Sequence, residues 1–237
     1  MPRIRNGVGV VDKYRSYEKL KQNEQKGEDF RIVFTPRNSG VAVIAPHGGR
    51  IESGTSQIAQ AVAGTKHTLY IFEGLKRTGN IDLHITSANF DEPTAIKAVK
   101  DARFALAIHG CKGTRKVVYI GGKDDKLISI IEDALNAQDF IVKRHQNPNL
   151  QGVHARNICN RNATQRGVQL ELTKGLRCAM LIKCDGKTRR TSMFTKFVQA
   201  LQQALKEALT ESDGPKGPLG MIVGVPKDTE GNDDGTS

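Results

Sequence analysis

A chain of 237 residues with 38% hydrophobic content is long enough for one substantial core, and no shift in composition divides it in two. No apolar run approaches the ~20 residues of a membrane span, and the basic start Met1-Pro-Arg-Ile-Arg-Asn6 has no apolar stretch behind it, which argues against a secretory signal. The net charge of +11 is concentrated: residues 143–190 carry eleven Lys or Arg against Glu171 and Asp185, so a polyanionic partner is favoured over a neutral one.

The first ~27 residues are polar, with Tyr14, Tyr17 and Leu20 at helical spacing, and read as an N-terminal arm. Residues 28–212 read as one α/β domain. Arg31–Thr35 and Val41–Ala45 read as a hairpin around Pro36-Arg-Asn-Ser-Gly40. Thr55 or Ser56 can cap a helix ending near Gly64. Thr68–Phe72 and Leu83–Thr86 are strand candidates, and Pro93 suits the first turn of a helix to Ala102. Strands at Phe104–Ile108 and Lys116–Ile120 precede a helix at Asp124–Ala137 and a short strand at Asp139–Lys143. Residues 144–167 show no period and read as a long functional loop. Gly167–Thr173 alternates like a strand, and Phe194, Phe197, Val198, Leu201, Leu205 and Leu209 share one face of a closing helix. Residues 213–237 read as a linker, a possible edge strand at Leu219–Val225 and an acidic tail. This alternation predicts a twisted, mixed sheet flanked by helices, with ligands gathered beyond the carboxyl ends of its strands.

Chemistry-bearing residues fall at those strand ends. Pro46-His47-Gly48-Gly49-Arg50-Ile51-Glu52 follows one apolar run, and Ile108-His109-Gly110 ends another. Two imidazoles and a carboxylate make a three-ligand metal site with a fourth position open, as a catalytic zinc requires. His47 by itself equally reads as a hydrogen-bonded structural histidine. Glu171 is costly to bury without a partner and is a candidate general base. It reads equally as an outward-facing residue paired with Lys174 or Arg177, because Gln169, Glu171 and Thr173 share one strand face. Arg156, Arg161 and Arg177 can grip carboxylates through paired hydrogen bonds, Asn157 and Asn160 can orient a substrate, and His84 can touch substrate or sit behind the ligands. Cys111, Cys159, Cys178 and Cys184 lack Cys-x-x-Cys spacing and read as reduced thiols, which places synthesis in a cytoplasm, with release on lysis a possible route outward.

Six blocks in one order carry a family resemblance: Pro46-His-Gly-Gly-Arg-Ile-Glu-Ser-Gly-Thr-Ser56, Leu83-His-Ile-Thr-Ser87, Phe90-Asp-Glu-Pro93, Ile108-His-Gly110, Asn157-Ile-Cys-Asn-Arg161 and Val168-Gln-Leu-Glu-Leu-Thr-Lys-Gly-Leu-Arg177. Over roughly residues 28–210 the chain resembles the phage and bacterial poly-γ-glutamate hydrolases. The resemblance implies a zinc-carboxypeptidase-like α/β fold with one zinc ion, His47, Glu52 and His109 as its ligands, and Glu171 as the base. It implies cleavage of γ-glutamyl amides in an acidic polymer, a substrate that the basic tract suits independently. Its ligand spacing departs from that of the zinc carboxypeptidases, so their substrate residues do not transfer.

Two other readings stand beside this one. A zinc amidase acting on N-acyl amino acids or cell-wall peptides would share the layout. A nucleic-acid-binding protein without hydrolase activity would share the charge, but residues 141–190 contain no Phe, Tyr or Trp on which bases could stack. A monomer is expected.

Overall fold

Four parallel strands in the middle of a seven-stranded sheet deliver the motif residues to one end of the molecule. The computed structural model describes residues 12–184 and 187–213. In chain order the elements are α1 (Tyr17–Lys21), β1 (Phe30–Thr35), β2 (Val41–Gly49), α2 (Thr55–Ala63), β3 (Thr68–Gly74), α3 (Pro93–Lys100), β4 (Phe104–Cys111) and β5 (Val117–Gly122). Then follow α4 (Asp125–Asn136), β6 (Ile141–Lys143), β7 (Val168–Thr173), α5 (Lys174–Met180), β8 (Leu181–Cys184), β9 (Lys187–Arg190) and α6 (Ser192–Asp213). Single 3-10 turns form at Asn80–Leu83, Pro148–Leu150 and Ile158–Arg161. The expected linker, edge strand and tail beyond residue 213 lie outside the described residues.

The sheet order is β1-β3-β2-β4-β7-β5-β6. Strands β3, β2, β4 and β7 run parallel, whereas β1 and β5 run antiparallel to their neighbours β3 and β7. The mixed α/β sheet anticipated from the alternation is therefore present. The expected hairpin between the first two strands is not: β3 lies between β1 and β2 and pairs with both. Leu83–Thr86 is not a strand either; it leaves a 3-10 turn as extended chain outside the sheet. The cap of α2 also differs, because Gly54 occupies that position without a side-chain bond, while Ser56 Oγ turns back to accept from Gly49 N–H at 2.8 Å.

Strand alternation sorts the core into two layers. Val41, Val43, Ala45, Leu106, Ile108, Leu170 and Leu172 face helices α2, α4 and α6, where Phe194, Phe197, Leu201 and Leu205 are buried. Ala42, Ile44, Tyr70, Phe72, Ala105 and Ala107 face the other way, against α3, Phe90 and the 3-10 turn at Ile158–Arg161. Residues 12–27 are part of that second layer: Tyr14 and Leu20 are buried in it, and Tyr17 packs edge-on against Phe30. Fully burying a side chain of Leu, Ile or Phe size contributes about 1.5–3 kcal/mol each, so both faces of the central strands are held by apolar packing.

Candidate metal centre

His109 and Glu171 follow Ile108 and Leu170, so alternation turns both side chains toward the second layer. By the same rule His47, two residues after Ala45, would point the opposite way. A register shift in β2 between Ala45 and Gly48 re-aims it, bringing its ring beside that of His109 with centroids 5.0 Å apart. Gly49 follows at φ 64° with its backbone pressed against Gly74, where an added Cβ would lie 2.5 Å from the carbonyl oxygen, so glycine is required at this turn. The chain then folds back on itself: Glu52 N–H donates to His47 O at 2.9 Å, which returns the carboxylate to the imidazole.

Three donors converge. His47 Nδ1 lies 3.1 Å from Glu52 Oε1 and 3.2 Å from His109 Nδ1, and His109 Nδ1 lies 3.7 Å from Glu52 Oε2. Donors bound at ~2.0–2.1 Å around one tetrahedral zinc lie about 3.3 Å apart, so this set has the right chemistry and spacing for such an ion. Each ring is oriented from behind. His47 Nε2 is 2.8 Å from Ile85 O, an acceptor only, so Nε2 donates there and Nδ1 is the nitrogen turned toward Glu52 and His109. His109 Nε2 faces Ser87 Oγ at 3.3 Å. Glu52 Oε2 accepts from Gly110 N–H at 2.7 Å. Burial alone would raise the Glu52 carboxyl, but the two imidazoles outweigh it and hold the group well below the usual carboxylate range.

His84 adds a third imidazole. Its ring lies tilted by 32° against that of His47 with centroids 4.0 Å apart, and single donor atoms of His47, Glu52 and His84 lie within 4.8 Å of one another. His47 and Glu52 are thus shared by two trios, one completed by His109 and the other by His84.

Glu171 stands in register with His109 across the β4–β7 pair and is buried. It is not an outward-facing residue of an exposed strand face, because all six residues of β7 are buried. Burial, reinforced by the charge of Glu52 and only partly opposed by Arg177, raises its carboxyl well above the ordinary value. Gln169 Nε2 donates to Glu171 Oε1 at 3.3 Å and to Leu150 O at 3.1 Å, while Gln169 Oε1 accepts from Asn157 Nδ2 at 2.8 Å. Burial also pushes the neighbouring Cys111 thiol up to about 12, with the Glu171 charge adding to it, so no thiolate competes at the centre.

The other sequence candidates separate into two groups. Arg177 threads under the site, donating to the carbonyls of Leu172, Ser53 and Cys111 and lying flat on Gly110. Asn157 and Asn160 are buried, and their amides are bonded within the long loop and to Gln169, with Asn160 Nδ2 reaching Gly152 O and His154 O. Arg161 is half-buried and ties that loop to Ala88 O at 3.0 Å; Arg156 is exposed beside it, its carbonyl accepting from Arg161 Nε. Sequence reasoning missed Gln169, Ser87 and Asp12, which bonds His84. The first was in view as the neighbour of Glu171 on one strand face, and Ser87 closed the Leu83–Ser87 block without being singled out; Asp12 carries no local signal.

A mixed α/β domain whose parallel strand ends carry a buried two-histidine, one-carboxylate cluster defines the class. Residues 14–200 match the family described as poly-γ-glutamate hydrolase. The UPF0714 protein YmaC of Bacillus subtilis (strain 168) is 35% identical over 201 residues, covering 83% of this chain and 85% of its own length. A bacteriophage poly-γ-glutamate hydrolase structure superposes with a TM-score of 0.79 at 28% identity, over 85% of this chain and 100% of that one. A zinc-free apo structure of YndL gives a TM-score of 0.78 at 32% identity, over 84% of this chain and 99% of that one. The chain belongs to the poly-γ-glutamate hydrolase family.

Proposed function

We propose that this chain is a zinc-dependent hydrolase that cleaves γ-glutamyl amide bonds in poly-γ-glutamate. The observation that carries the reading is the convergence of His47 Nδ1, Glu52 and His109 Nδ1 at 3.1–3.7 Å in a chain of this family. The description of YndL's apo form as zinc-free favours zinc over other divalent ions. A zinc ion held by these three residues would polarise the scissile carbonyl and acidify the attacking water.

The chain's own residues supply the rest. Glu171, its carboxyl raised by burial, is a stronger base than a solvated glutamate; it takes the proton of the attacking water and hands it to the leaving amine. Gln169 holds one oxygen of that carboxylate and leaves the other for proton exchange. Arg177 fixes the backbone under the centre, and Asn157 and Asn160 fix the long loop. Arg156 and Arg161, on that loop, meet the free carboxylates that each γ-linked residue carries. Since Arg156 is exposed and Arg161 only half-buried, KM for the polymer rises with ionic strength.

The testing experiment is digestion of poly-γ-glutamate, short γ-peptides and N-acyl glutamates by protein of known zinc content, with amine release and polymer size as readouts. Polymer shortening that zinc chelation stops and zinc restores is expected. Cleavage confined to the acylated amino acids would reassign the substrate to the small-amide class, and salt-sensitive DNA binding without any amide cleavage would remove the hydrolase reading.

A further inference from the structure

The arm that precedes β1 reaches the metal centre through one side chain. Asp12 lies just before the family-matched residues 14–200, yet its side chain is only 8% exposed. Its Oδ1 accepts from His84 Nδ1 at 2.8 Å and its Oδ2 from Thr86 N–H at 2.7 Å. The same strip of chain, read alternately, does something else: Ile85 O receives His47 Nε2 and Ser87 Oγ meets His109 Nε2. Residues 84 and 86 are therefore gripped from the arm while residues 85 and 87 orient two of the proposed ligands.

This strip has no sheet to hold it, since it lies outside every strand. Its position depends on side-chain anchors, and a carboxylate using both oxygens on two donors is a stiff one. The arm is itself fastened nearby: Lys13 pairs with Glu24 at 3.2 Å and Asp82 at 3.5 Å, and Tyr14 Oη donates to Glu24 at 2.6 Å. Lys76 closes the same cluster against Glu24.

We propose that Asp12 is a positioning residue of the metal centre: by clamping His84 and Thr86 it sets the strip whose Ile85 carbonyl and Ser87 hydroxyl aim the rings of His47 and His109. The segment ahead of the family-matched domain thus completes the site. The clamp also fixes a proton on His84 Nδ1, toward the arm. This inference rests on the reading of His47, Glu52 and His109 as ligands.

The test is zinc affinity, measured by chelator competition on full-length folded protein well below its melting temperature, with Asp12→Ala, Asp12→Asn and His47→Ala compared. Groups that orient metal ligands change affinity by about 10–100-fold when removed. Asp12→Ala is expected to weaken zinc by that factor, and Asp12→Asn, which keeps the volume and one acceptor, by less. Proton NMR should show a downfield His84 Nδ1–H resonance in the wild type that Asp12→Ala abolishes. Asp12→Asn supplies the reading should the alanine variant fail to fold. Wild-type zinc affinity in both Asp12 variants, with His47→Ala losing the metal, overturns the inference alone. Undiminished zinc binding in His47→Ala overturns the ligand assignment on which it rests.

Discussion

His109 and Glu171 stand directly opposite each other on the adjacent parallel strands β4 and β7. Neighbouring strands are ~4.8 Å apart, so the separation between a proposed ligand and the proposed base is set by the sheet ladder and not by a loop. A base fixed this way needs no induced movement to meet the water it deprotonates.

Glu171→Gln is accordingly expected to keep the bound metal and lose turnover by about 10²–10⁴-fold, the usual worth of a general base. The same change should stabilise the metal-free protein. A carboxyl whose folded pKa is raised favours the fold fully below its unfolded value near ~4.3 and loses that contribution as pH rises toward the folded value. Glutamine removes the burden, so thermal melting of the variant should exceed wild type at pH 8 and match it near pH 4. A near-normal rate would return Glu171 to a structural role.

His47→Ala and His109→Ala should each lower bound zinc, read by elemental analysis of dialysed protein. Ser87→Ala should have a smaller effect, because it removes only the support behind His109. Stoichiometric metal in both histidine variants would exclude them as ligands.

Gly110 and Arg177 form a testable contact pair. A Cβ on Gly110 would lie 2.6 Å from the guanidinium carbon, so Gly110→Ala is expected to cost about 1–3 kcal/mol of stability in denaturant titration. Arg177→Ala should cost a similar amount by freeing three backbone carbonyls, and the double variant should cost less than the sum, since the alanine methyl then occupies the vacated space. Strict additivity would mean the two residues do not press on each other.

The acid limb of stability has a defined sign. Burial raises Asp12, Glu24 and Glu52, but each is held below its ordinary value by its partners: His84 and Thr86, then Lys76, Tyr14 and Lys13, then His47 and His109. Their contribution is present above the unfolded values near ~4 and is lost as pH falls through the lower folded ones. Glu171 acts in the opposite sense, so the test is differential: the change in urea midpoint of metal-free protein from pH 6 to pH 3 should be less negative in Glu24→Gln than in wild type.

The strand-end histidines were legible because an apolar run followed by His-Gly is a local pattern, and both do end parallel strands. The α4 helix and the buried face of α6 were legible for the same reason, local spacing. The facing of Glu171 was not, because the 61 residues between it and His109 hide the register that joins them. Asp12 was invisible: no local spacing points to its partner, which is 72 residues away. Asn157 and Asn160 read as substrate contacts because polar residues in a long loop usually face solvent, whereas here they build the loop from inside.

The mistaken hairpin has a counterpart that the strand order exposes. In β1/β2 and again in β4/β5, two strands consecutive in sequence and opposite in direction are split by a later arrival, β3 in one case and β7 in the other. Each pair is close enough in sequence to zip up by itself, and doing so would shut the slot that the third strand must enter. In the native sheet both slots are filled by the third strand, and the second slot cannot be filled before residue 173 has been made. A nascent chain halted after β4 would hold His47, Glu52 and His109 and still lack Glu171, the proposed base.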